Sequence, residues 1–168
     1  MKRLVLIRHA KSGWKNPGLK DFDRPLSKHG KKNAPEMGRC LAQYSLLPDL
    51  VISSPARRAI ETAQVIAKAI GFSVEKIIPN SKVYEARVPE LLEILKEIDV
   101  SHKTVLLIGH NPSLTDFINS ICNYSLDNLP QGGMFCADFR ILSWKEIDQQ
   151  TGRVIFVDFP TQSVAEED

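Results

Sequence analysis

Three short stretches of this chain are apolar without alternation: Leu4 to Ile7, Leu50 to Ile52 and Val105 to Ile108. Each has the length of a strand and is built from leucine and β-branched residues. Strands covered on both faces of a sheet read this way, because neither face meets water. Between and after them the apolar residues recur at helical spacing. Ala59, Ala63, Ile66 and Ile70 form one face of a helix, with Ser54 placed to cap it, Pro55 in its first turn and Gly71 placed to end it. A second helix begins at Asn111-Pro112 and buries Leu114, Phe117, Ile118 and Ile121. A third, from about Pro89, carries Leu91, Leu92, Leu95 and Ile98. The segment after Ser27 is helical through Ala34, Met37 and Leu41, with a kink or restart expected at Pro35. Met134 to Leu142 and Val154 to Phe159 read as two further strands, with Gln149 to Gly152 as a turn between them.

Strands alternating with helices predict an α/β domain of three layers: a mostly parallel central sheet with helices on both faces. The 168 residues suit a single domain, 1–168, with a short flexible tail from about residue 161. No repeat or low-complexity linker divides it.

Composition narrows the class. Hydrophobic residues at 43% and charged residues at 25% are near the globular average, which excludes disorder over the whole length. A net charge of +2 is too small and too dispersed for a nucleic-acid binder. Cys40, Cys122 and Cys136 are odd in number, widely spaced and without a Cys-x-x-Cys pair, so neither a disulfide framework nor a zinc site is indicated. Leu4 to Ile7 is too short for a signal peptide core and no run reaches membrane-span length. The expectation is a cytoplasmic protein with reduced cysteines and no membrane partner.

In doubly wound sheets ligands bind beyond the carboxyl ends of the strands, so the residues just past each strand matter most. The first apolar run ends in Arg8-His9. The second leads into Ser53-Ser54-Pro55-Ala56-Arg57-Arg58, and the third into Gly109-His110-Asn111-Pro112. If the strands are parallel neighbours, arginine and histidine converge on one rim beside helix N-termini. That set suits a phosphoryl group, since arginine offers phosphate oxygens a planar fork of donors.

Leu6-Ile7-Arg8-His9-Ala10, Ser54-Pro55-x-x-Arg58-Ala59-x-x-Thr62 and Gly109-His110-Asn111 resemble the motifs of the histidine phosphatase superfamily, which includes phosphoglycerate mutase. Lys11-Ser12, Asp21-Phe22-Asp23-Arg24-Pro25-Leu26 and Tyr84-Glu85 resemble its small SixA-type phosphohistidine phosphatases. The resemblance runs from about residue 3 to residue 160. It implies a phosphoglycerate mutase-like fold and a phosphatase in which His9 is transiently phosphorylated. Arg8, Arg58 and His110 would hold the phosphoryl oxygens, and Glu85 matches the general acid and base of many relatives. Gly132-Gly133 falls where relatives carry a glycine or small residue, and the Gly133 amide is a candidate phosphate donor. No metal or cofactor is implied: the chain has no Walker loop, no His-Glu-x-x-His and no carboxylate cluster for magnesium.

The residues support this chemistry and also have plainer readings. A neutral imidazole is a competent nucleophile, and Arg8 beside it disfavours the imidazolium. Arg58 has a local alternative in pairing with Glu61 or Thr62, His110 in capping the next helix, Glu85 as a solvated loop carboxylate, and Gly133 in a simple turn. His29 and His102 read as surface residues. Mutase relatives are longer, whereas only 18 residues separate Glu85 from Thr104, too few for both a helix and a lid. An open site favours a phosphate presented by a protein, and the loop from Lys11 to Arg24, with Trp14, is a candidate rim for that partner. The expected function is therefore removal of the phosphoryl group from a phosphorelay or phosphotransfer protein. Hydrolysis of a small phosphorylated compound is one alternative and a non-catalytic phosphate-binding module is another.

Overall fold

The three unalternating apolar runs lie side by side in one six-stranded sheet. Strands β1 (Lys2–Arg8), β2 (Leu50–Ser53), β3 (Ile78–Pro79), β4 (Thr104–Gly109), β5 (Met134–Phe139) and β6 (Arg153–Asp158) are ordered β3-β2-β4-β1-β5-β6 in the computed structural model, which describes residues 1–160. The tail expected from about residue 161 lies outside the described residues. Parallel pairing joins β3, β2, β4 and β1, while β5 is antiparallel to both β1 and β6. The sheet is thus mostly parallel, with a single strand reversed.

Four helices cover it: α1 (Lys28–Gln43), α2 (Arg57–Ile70), α3 (Val88–Lys96) and α4 (Ser113–Ile121). Successive residues of a strand point to opposite faces, so β1 serves two cores at once. Leu4 and Leu6 pack with Leu91, Leu95, Leu114 and Phe117 of α3 and α4. Val5 and Ile7 pack with Ala34, Met37, Ala63 and Ile66 of α1 and α2. The α/β/α architecture expected from the alternation is the one observed.

Several local expectations shift. Helix α2 starts at Arg57, with Ala56 as its N-cap and no side-chain cap, so Pro55 precedes its first turn. Ser54 does not cap it because its hydroxyl is engaged elsewhere, with the Ala56 amide and with His110. Gly71 ends the helix as expected, in the left-handed conformation at φ 78° that glycine adopts without strain. Helix α1 runs unbroken through Pro35 rather than restarting. A proline removes one backbone donor, and the buried face of Ala34, Met37 and Leu41 against α2 outweighs that loss. Strand β5 ends at Phe139, short of Leu142, which is exposed. There the chain turns into a single 3-10 turn, Trp144–Glu146, closed by a Ser143–Glu146 capping box that buries Trp144. Edge strand β3 carries no periodic signature, being two residues long.

Register places the chemistry. Arg8 of β1 lies beside Gly109 of β4, and Ser53 of β2 beside Ile108. The carboxyl ends of β1, β2 and β4 therefore share one rim.

Candidate active site

His9 comes directly after β1 and is 5% exposed. Its Nδ1 lies 2.7 Å from the Ala10 carbonyl oxygen. A carbonyl can only accept, so Nδ1 carries the hydrogen and the lone pair sits on Nε2. Arg58 Nε donates toward that Nε2 at 3.4 Å. The ring is held by its backbone with its lone-pair nitrogen turned to the guanidinium. Burial lowers the His9 pKa to about 4, reinforced by Arg58, Arg8 and Arg24 and partly opposed by the Ala10 carbonyl. Arg8 disfavours the imidazolium as expected, though burial and Arg58 do so more strongly.

Arg58 stands in the first turn of α2, and its side chain leaves that helix. It is the neighbouring Arg57 that pairs with Glu61, at 2.7 Å, and Thr62 Oγ1 donates to the Arg58 carbonyl. Arg58 instead donates through Nη1 to the Asp21 carbonyl at 2.7 Å and through Nη2 to Asp21 Oδ2 at 3.0 Å. His110, at the end of β4, completes the group. Its ring centroid is 5.1 Å from that of His9, its Nδ1 is 3.5 Å from Arg58 Nη2, and its Nε2 is 2.7 Å from Ser54 Oγ. Burial, His9 and Arg58 bring the His110 pKa down to about 3, so both imidazoles are neutral near pH 7. Arg8 donates to the Leu129 carbonyl at 3.0 Å, while its Nε is buried without a partner.

Arg8, His9, Arg58 and His110 border one cavity of about 210 Å³, together with Ser12, Trp14, Arg24, Asn111 and Gln131. Two candidates stand apart from it. Glu85 is exposed, at φ 60°, and borders a separate depression that also takes in His110 and Asn111. The Gly133 amide donates to the Pro130 carbonyl at 2.8 Å within its own turn, and the Gly132 amide to the carbonyls of Arg8 and His9.

The loop between β1 and α1 contributes residues that sequence reasoning does not place in the site. Arg24 is buried at the cavity wall, donating to Ser12 Oγ at 2.8 Å and to Asp21 Oδ1, with its guanidinium 3.5 Å over the Trp14 ring. Asp21 accepts from Arg24, Arg58 and the Tyr84 hydroxyl, the last at 2.7 Å. Burial alone would raise its pKa, yet these hydrogen bonds from Tyr84, Arg24 and Arg58 hold the carboxyl well below the usual carboxylate range. Tyr84 is pushed up to about 12, by burial and by that carboxylate. The only signal in the sequence for the Asp21 to Leu26 and Tyr84-Glu85 segments is their family resemblance. No group of three or more His, Cys, Asp or Glu suited to a metal occurs among the described residues, nor any helix long and apolar enough to cross a membrane.

A family model of the histidine phosphatase superfamily, branch 1, matches residues 4–90. An uncharacterised chloroplastic protein of Arabidopsis thaliana is 36% identical over 120 residues, 66% of this chain and 54% of that protein. Phosphoserine phosphatase 1 of Hydrogenobacter thermophilus is 42% identical over 81 residues, 45% of this chain and 36% of that one. This chain thus spans about half the length of the first relative and about a third of the second. Among solved structures, a putative phosphohistidine phosphatase SixA from Agrobacterium tumefaciens superposes with a TM-score of 0.80 at 28% identity, over 95% of this chain and 98% of that one.

Proposed function

Because this chain belongs to the histidine phosphatase superfamily, we propose that it is a phosphatase working through a phosphorylated His9, with the phosphoryl group supplied by a histidine of a phosphorelay or phosphotransfer protein. The observation that carries this substrate class is the cavity lining: three guanidinium groups, two imidazoles and no carboxylate.

In the first step the His9 Nε2 lone pair forms a bond to phosphorus as the P–N bond of the substrate breaks. The departing imidazole nitrogen keeps that electron pair and takes a proton from solvent. In the second step a water oxygen attacks phosphorus, the His9–P bond breaks and phosphate leaves. Imidazole, with a pKa near ~6.5, departs readily once protonated, whereas an alkoxide needs a positioned acid. Glu85 does not line the cavity that holds His9 and Asp21 is held ionised, so among the described residues that cavity offers no carboxyl proton donor. A phosphohistidine tolerates that arrangement better than a phosphomonoester does. Arg8, Arg58 and His110 match the charge on the transferring oxygens. An anion also gives the unpaired Arg8 Nε the acceptor that it lacks. Removing one such donor costs ~2.7–4 kcal/mol of barrier, about 10²–10³ in rate. With the Gly133 amide already donated, backbone help at that position is not part of this scheme.

The similarity to a phosphoserine phosphatase and the depression shared by Glu85 and His110 favour a second reading, in which Glu85 protonates the alkoxide of a small phosphomonoester. The test compares turnover of a phosphohistidine protein with that of a panel of phosphorylated metabolites, using wild type, His9→Ala and Glu85→Gln. The expected result is faster hydrolysis of the phosphoprotein, an acid-labile phosphoenzyme absent from His9→Ala, and no effect of Glu85→Gln on the phosphohistidine substrate. Faster metabolite turnover lost in Glu85→Gln would establish the second reading. Binding without turnover of either class would leave a phosphate-binding module.

A further inference from the structure

The Ser54 hydroxyl has one hydrogen and no exposure to solvent. Its residue is fully buried, and its Oγ accepts the Ala56 N–H at 3.2 Å and sits 2.7 Å from His110 Nε2. A neutral His110 carries its proton on one ring nitrogen only, and the two choices differ in what they leave unpaired. With the proton on Nε2, that N–H donates to Ser54 Oγ, which already accepts from Ala56. The serine's own hydrogen is then buried without an acceptor, which is unfavourable for any buried donor. With the proton on Nδ1, Ser54 donates to Nε2 and every polar group of the serine is paired. The Nδ1–H then faces Arg58 Nη2 at 3.5 Å: the long hydrogen bond that the guanidinium could donate to a lone pair there is given up, and two donors stand side by side at the cavity wall. Two converging donors call for an anion.

We propose that the Ser54 hydroxyl sets the tautomer of His110, holding its proton on Nδ1 so that His110 and Arg58 donate together to one phosphoryl oxygen. Ser54 touches no substrate in this arrangement and acts as a positioning residue. Its place in the fold suits the task. The Ser54 amide is anchored to the Ile108 carbonyl at 3.0 Å, which ties the end of β2 to the end of β4 two residues before His110. The proposal rests on the phosphoryl-site reading of the cavity but not on which phosphorylated compound is the substrate.

Nitrogen-15 spectra of histidine-labelled protein with tungstate, a phosphoryl mimic, test it directly. The chain has four histidines, and the His110 signals are identified by their loss in His110→Ala. The expected spectrum of the tungstate complex at pH 7 shows His110 Nδ1 protonated and Nε2 as a lone-pair nitrogen. Ser54→Ala should mix or reverse that pattern and lower kcat on a small chromogenic phosphate by roughly 10- to 100-fold, short of the 10²–10³ expected for losing a donor outright. In a His110→Ala background the same substitution should cause no further loss, because its effect passes through the ring. A protonated Nε2 in the tungstate complex, or losses from the two substitutions that multiply, overturns the proposal. If Ser54→Ala does not fold, the wild-type spectrum decides alone. Failure of tungstate to bind would overturn the phosphoryl-site reading, and this proposal with it.

Discussion

His9 should remain neutral, and therefore nucleophilic, well into the acid range where an ordinary histidine is protonated. Its pKa is lowered to about 4 chiefly by burial, with Arg58 the strongest of the neighbouring charges. At pH 5 a histidine of pKa 6.5 is about 3% neutral and one of pKa 4 about 90% neutral, so the reactive form is about 30 times more abundant. His110 is shifted the same way and its ring is 5.1 Å from that of His9, so the two take up protons as a coupled pair. The assay is an NMR titration of the histidine ring signals from pH 8 to pH 3.5. Neither ring should take up a proton above about pH 5. Arg58→Gln should raise the His9 midpoint, but not back to 6.5, since burial persists without the guanidinium. The same displacement is a stability effect. Between the two pKa values the unfolded chain binds the proton and the folded one does not, so stability falls as pH falls from about 6.5 toward 4, by on the order of 3 kcal/mol for His9. A wild-type His9 midpoint near 6.5, or a midpoint lowered by Arg58→Gln, would refute the reasoning.

Two further outcomes are expected from the loop between β1 and α1. Lys15 and Lys20 are exposed on it and Lys11 is half-buried. Changing all three to Ala should weaken turnover of a phosphoprotein more than that of a small chromogenic phosphate; equal losses would exclude this loop as the partner's rim. Gly30, in the first turn of α1, lies so close to the Lys11 carbonyl that an added Cβ would come within 2.1 Å of the oxygen, which already accepts the Ser27 N–H. Gly30→Ala gains about 1 kcal/mol of helix propensity but forces an overpacking that costs about 1–3 kcal/mol. The melting temperature should therefore drop, and a rise would show that the loop yields without strain.

What the chain determined without help from its fold was the pattern that needs only neighbours in sequence. Leu4 to Ile7, Leu50 to Ile52 and Val105 to Ile108 announce strands covered on both faces, because a one-sided strand would alternate. The residues after those strands, Arg8-His9, Arg58 and His110, announce the rim, because parallel strands bring their carboxyl ends to one side. Only the tertiary structure decided what the loops do. Asp21 reaches Arg58 across 37 residues of sequence and Arg24 enters the cavity wall beside Trp14, and no periodicity encodes either path. Glu85 is next to Tyr84 in sequence, yet Tyr84 binds Asp21 whereas Glu85 lines a separate depression. Ser54 looks like a helix cap in the sequence because spacing shows which amide a hydroxyl could reach. It cannot show that a histidine from another strand lies 2.7 Å away. Strand and helix positions come from local hydrophobic periodicity, whereas the partner of a polar side chain depends on the route of the loops.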